Sequence, residues 1–118
     1  MGDLSKIRKI LDDTRGAEHV LGASLISRGG LFVMGDTPER AHQETFAAMS
    51  AIILGAADTV SGEMKSDLSD VTLDMGDLKL MIVAAGVKYL VAVYSEHEAD
   101  CTTILRSLQK NLRAEGIV

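Results

Sequence analysis

The chain has 118 residues, a formal net charge of −5 and a single cysteine. That length suits one domain over residues 1–118, with a core large enough to fold without disulfides. One cysteine forbids an intrachain bridge and fits a reducing compartment. The acid excess argues against nucleic acid or an anionic membrane as partner, and two Phe, two Tyr and no Trp offer no base-stacking platform.

In chain order, Leu4, Ile7, Leu11 and Thr14 recur at helical spacing against Lys6, Arg8, Lys9, Asp12 and Asp13, which predicts an amphipathic helix from Leu4 to Arg15. Its mixed charges are not those of an apolar leader, and the longest uncharged run, Thr45 to Ala57, is short of the ~20 residues of a membrane span. A cytoplasmic protein is expected. Val20–Ser27 and Leu31–Gly35 flank "SRGG" and predict a hairpin of two antiparallel strands. Asp36 or Thr37 is placed to cap a helix whose first residue is Pro38 and which runs to about Gly62. A polar connection, "EMKSDLS", follows. Then come an alternating segment around Val71, Leu73 and Met75, and two apolar runs, "LKLMIVAA" and "KYLVAVYS". Gly76-Asp77 and Gly86 supply their turns. The last segment places Cys101, Ile104, Leu105, Leu108 and Leu112 on one helical stripe, with Ser95 and Glu98 as a possible capping box. The order is α-β-β-α-β-β-β-α, with five strands in one antiparallel sheet and helices for both faces.

The middle helix is unusually apolar. Phe46, Met49, Ile53, Ala57, Val60 and Met64 form one stripe, expected on the sheet. A second stripe of small residues, Ala41, Ala48, Ile52, Gly55, Ala56 and Thr59, lies about a quarter-turn away. Such a helix needs cover on two sides. A second copy of the chain is the favoured cover; the alternative is the amino-terminal helix of the same chain.

No sequence pattern carries catalysis. "GGLFVMGDT" has its glycines in a strand and Asp36 where a phosphate loop needs lysine, and no dinucleotide fingerprint or nucleophile elbow is present. His19, His42 and His97 lack metal-ligand spacing; the acids between Asp58 and Asp77 lack that of a calcium loop. His42 is expected to be half-buried, and Cys101, four residues after His97, to be core. No metal and no cofactor are expected.

Several stretches together resemble the Roadblock / dynein light chain family. They are "GASLISRGGLFVMGD" (Gly22–Asp36), "ETFAAMSAIILGAADTV" (Glu44–Val60), "DLKLMIVAAGVKYLVAVYSE" (Asp77–Glu96) and "ILRSLQKNL" in the closing helix. The resemblance runs from about Gly16 to Leu112; Asp100 departs from the small residue many relatives carry there. It implies a three-layer α/β/α sandwich of the profilin-like kind. It also implies a homodimer in which the middle helices pair and the third strands join, bringing Val71 and Leu73 to the interface. Members typically act as non-enzymatic adaptors, motor-complex light chains, or regulators and scaffolds of Ras-like small GTPases. The fold by itself licenses no chemistry. By the same resemblance the partner would meet the paired-helix side, through Arg40, Gln43, Glu44, Ala47, Ala51, Leu54 and Asp58, with Arg28 exposed at the hairpin tip. A plain structural adaptor and a small-molecule sensor are the competing readings.

Overall fold

The computed structural model describes residues 4–117. Eight elements follow in chain order: α1 (Leu4–Arg15), β1 (Val20–Ser27), β2 (Phe32–Gly35), α2 (Gln43–Glu63), β3 (Val71–Asp74), β4 (Leu78–Ala85), β5 (Tyr89–Glu96) and α3 (Cys101–Ala114). The strands form one sheet in the order β2-β1-β5-β4-β3, every neighbouring pair antiparallel.

Alternation along the strands decides the layers, because successive side chains point to opposite faces. Ala23, Leu25, Met81, Val83, Val91 and Val93 meet Ile7, Ile10 and Leu11 of α1 and Leu105, Leu108 and Leu112 of α3. Ile26, Leu80, Ile82, Leu90, Ala92 and Tyr94 meet Phe46, Ala47 and Leu54 of α2. The molecule is therefore a three-layer sandwich, with α1 and α3 on one face and α2 alone on the other. β4 and β5 read as continuous apolar runs because they are covered on both faces. α1 lies across the sheet from α2, so it does not provide the cover for α2 that the sequence left open.

Two helix starts differ from expectation. α2 begins at Gln43, with His42 as an extended N-cap that makes no side-chain capping bond. Pro38 to Ala41 form a turn instead, closed by Ala41 N donating to Pro38 O at 3.0 Å. The reason lies in Asp36. Its carboxylate accepts from Arg15 Nε at 2.6 Å and from Ala23 N at 3.1 Å, so it ties β2 to α1 and β1 and is not free to cap a helix. At α3 the cap is Asp100, which accepts from Thr103 N, and not a Ser95–Glu98 box. Ser95 is buried in β5, and its hydroxyl donates to Glu96 O.

Candidate protein-interaction surface

α2 rests on the sheet through Phe46, Ala47, Ser50 and Leu54, its fully buried residues. Phe46 packs edge-on against Tyr94, with ring centroids 6.2 Å apart. This corrects the sequence reading twice. Met49, Val60 and Met64, expected on the sheet, are exposed. Ala47 and Leu54, expected on a partner surface, are 0% exposed and belong to the core; Ala51 is half-buried against the same cluster. The helix is apolar all round, so periodicity alone could not fix its rotation. The face opposite the sheet carries Met49, Ile52, Ala56, Thr59 and Val60, all exposed. Ile52, Gly55, Ala56 and Thr59 of the small-residue stripe are thus on the open side of α2. Ala48 is half-buried, beneath the hairpin tip: a Cβ built on Gly30, whose φ is +94°, would stand 3.3 Å from the Ala48 Cα. Ala41 is exposed but precedes the helix.

By length and composition alone, α2 is long and apolar enough to cross a membrane. Its packing on the sheet accounts for one side of that apolarity. The outward side, with Ile52 59% and Val60 57% exposed, is what is left for another surface.

β3 lies at the open edge of the sheet beside α2. Among the described residues it pairs only with β4, from Val71↔Ile82 to Asp74↔Lys79. Val71 and Leu73 are half-buried toward α2, while Thr72 and Asp74 are exposed. A strand edge with unpaired backbone groups beside an apolar helix face is a pairing surface in two respects at once.

Arg28 is not a free cation at the hairpin tip. Its guanidinium donates to Asp58 of α2 at 3.1 Å, and its backbone N donates to Lys88 O. Both Arg28 and Asp58 therefore fasten the β1–β2 hairpin to α2. Arg40, Gln43 and Glu44 are exposed at the amino end of α2. Arg40 pairs with Asp77 of the β3–β4 turn at 3.1 Å and holds the Asp77 carboxyl below its usual range. That pair borders a groove of about 650 Å³ floored by Leu21, Phe46, Leu80 and Tyr94.

His19 pairs with Glu96, which raises the His19 pKa above its ordinary value, and His42 and His97 are exposed; the half-burial expected of His42 does not occur. Cys101 is half-buried at the start of α3 and not fully core. Among the described residues no group of three or more His, Cys, Asp or Glu side chains is arranged to hold a metal ion.

The architecture is that of a profilin-like α/β sandwich. Acanthamoeba castellanii profilin II superposes with a TM-score of 0.60 at 16% identity, covering 93% of this chain and 93% of that one. The sequence profile of the Roadblock/LC7 domain matches residues 6–95, and the chain belongs to that family. Myxococcus xanthus MglB has a TM-score of 0.81 at 11% identity, over 94% of this chain and 92% of its own. An MglB with tetrameric arrangement gives 0.80 at 16% identity, over 94% and 85%. No curated protein sequence matches the chain.

Proposed function

We propose that this chain is a homodimeric, non-enzymatic protein-binding module of the cytoplasm that scaffolds or regulates a Ras-like small GTPase. The observation that carries the dimer is the outward face of α2, where Met49, Ile52 and Val60 stand exposed beside the open edge of β3. A twofold axis normal to the sheet would pair α2 with α2 and β3 with β3 in one operation, covering the apolar face and the open edge together. Dimers that pair helix and strand in this way are what the Roadblock resemblance implies, and the tetrameric MglB arrangement is in keeping with self-association.

The GTPase enters through the family resemblance, and the exposed amino end of α2, with Arg40, Gln43 and Glu44, is the surface we assign to it. Arg28 is committed to Asp58, so no arginine is offered to a nucleotide from the hairpin. We take the chain's role to be one of holding or biasing the GTPase by contact. Light scattering should give twice the chain mass, and the dimer should bind a cognate GTPase with affinity that depends on the bound nucleotide. Equal binding to both nucleotide states would instead favour the plain adaptor reading. A dimer that neither binds nor alters GTP hydrolysis would remove the GTPase from the proposal.

A further inference from the structure

The side of β3 that faces away from α2 is charged. Asp70, Thr72 and Asp74 alternate with Val71 and Leu73, so they share the face toward α1 and α3. The Thr72 hydroxyl donates to Asp70, and Asp74 accepts from Gly76 N. α3 stands next to this face. Gln109 donates to Ser69 O at 2.9 Å, which pins the middle of α3 to the residue before Asp70. Arg106 and Arg113 lie one helical turn to either side of Gln109 and line the same groove as Asp70 and Thr72. No residue within α3 is acidic; the N-cap carboxylate of Asp100 acts on Arg106, at the amino end of the helix. Lys79, opposite Asp74 in register, is the other cation facing this side from the sheet. Among the described residues none of Asp70, Asp74, Lys79, Arg106 or Arg113 is in an ion pair.

A twofold axis normal to the sheet keeps each face of β3 on its own side. Antiparallel pairing of two β3 edges then brings Asp70 and Asp74 of one protomer alongside the same carboxylates of its partner. Like charges facing across a strand pair oppose pairing. The next strand lies only about 4.8 Å beyond β3, within reach of an arginine standing over it.

We propose that Arg106 and Arg113 are the counter-charges of the dimer seam, each α3 reaching over its own β3 to the Asp70 and Asp74 carboxylates of the partner. This rests on the dimer reading above. It adds an electrostatic clamp on the face opposite the paired α2 helices, and it selects a second copy of this chain by charge pattern as well as by apolar fit. The dimer should accordingly weaken with added salt, since partly exposed pairs are screened.

Sedimentation of the full chain tests this with two double variants, Arg106→Glu with Arg113→Glu and Asp70→Lys with Asp74→Lys. Each alone puts like charges across the seam and should raise the dimer dissociation constant at least about tenfold. Mixed together, they should recover a heterodimer, because the one reversed α3 then faces the one reversed strand and the native α3 of the other chain faces the native strand. Mixing without recovery would place the contact within one chain and overturn the proposal, as would a wild-type dimer that neither double variant weakens. A wild-type chain that stays monomeric would instead overturn the dimer reading itself. Circular dichroism checks the fold, and Arg106→Gln with Arg113→Gln, a milder pair read in the same way, serves if the charge reversal unfolds the protein.

Discussion

Gly22 is a place where one hydrogen atom matters. It sits in β1 beneath Tyr94, and a Cβ built there would fall 2.3 Å from the Tyr94 hydroxyl oxygen and 2.8 Å from the Asp36 Cβ. The absence of a side chain thus lets Tyr94 lie across the strand while Asp36 binds Arg15 and Ala23 N. Burial, and then the Asp36 charge, push the Tyr94 pKa up, and the bond to Asp36 raises that of Arg15. Gly22→Ala must move the ring or the hairpin, an overpacking worth about 1–3 kcal/mol, readable as a lower urea midpoint. At Asp100 the capping bonds from Thr103 hold the carboxyl below its ordinary value. A depressed carboxylate stabilises the fold above its unfolded pKa, near 3.9, and that support fades as pH falls through the lower folded value. Asp100→Ala should therefore lower Tm at pH 7 and by less as the pH approaches 3. His19 works in the opposite sense: its raised pKa adds stability below about 6.5, lost as pH rises through the folded value. A His19→Gln variant should lose stability relative to wild type at pH 6 more than at pH 8.

Each face of α2 makes a different prediction. Leu54 is fully buried against the sheet, so Leu54→Ala should cost about 2–5 kcal/mol by lost transfer energy and a cavity. Ile52, on the opposite face, should tolerate Asp in the folded protomer, and Ile52→Asp should convert dimer to monomer with little change in a denaturation curve corrected for concentration. A dimer that survives Ile52→Asp would mean that the outward face of α2 is not the interface. The contrast also marks what was legible in the sequence. α1 and β1 came out with the bounds the structure has: charge on one side and a clear period fix α1, and the SRGG turn bounds the uncharged apolar run of β1. Element order and sheet composition were legible for the same reason. The rotation of α2 was not, since alanine, methionine and isoleucine occupy every side and only Glu44, Asp58 and Glu63 punctuate it. Asp58 misled: it reads as solvent-facing, yet it borders the buried face because Arg28 neutralises it from the hairpin. The start of α2 was hidden similarly, since nothing local reveals that Asp36 is held by Arg15, twenty-one positions earlier. Long-range polar contacts are the information a periodicity reading lacks.

For the molecule as a whole, the two proposed contact systems lie on opposite sides of one seam. The α2 side is apolar and is not weakened by added salt; the α3 side is charged and screened by it. If both act, raising salt should weaken the dimer without dissolving it, and Ile52→Asp should remove what remains. The proposed partner surface can be separated from both. Arg40 is exposed, and Asp77, its ion-pair partner, is exposed as well, so the bond contributes little to folding and is easily exchanged for a partner's carboxylate. The groove beside it offers an apolar seat at the same place. Arg40→Glu should therefore leave light scattering and Tm close to wild type while weakening GTPase binding at least about tenfold, the scale of one well-placed interface charge. Calorimetry also fixes where the partner sits. One GTPase per dimer would place it across the twofold axis, with the two amino ends of α2 unequal in use. Two per dimer would place one at each groove, and Arg40→Glu would then weaken both sites alike. Unchanged binding in Arg40→Glu would move the partner surface away from the amino end of α2 altogether, leaving the outer face of α1 and α3 as the next surface to probe.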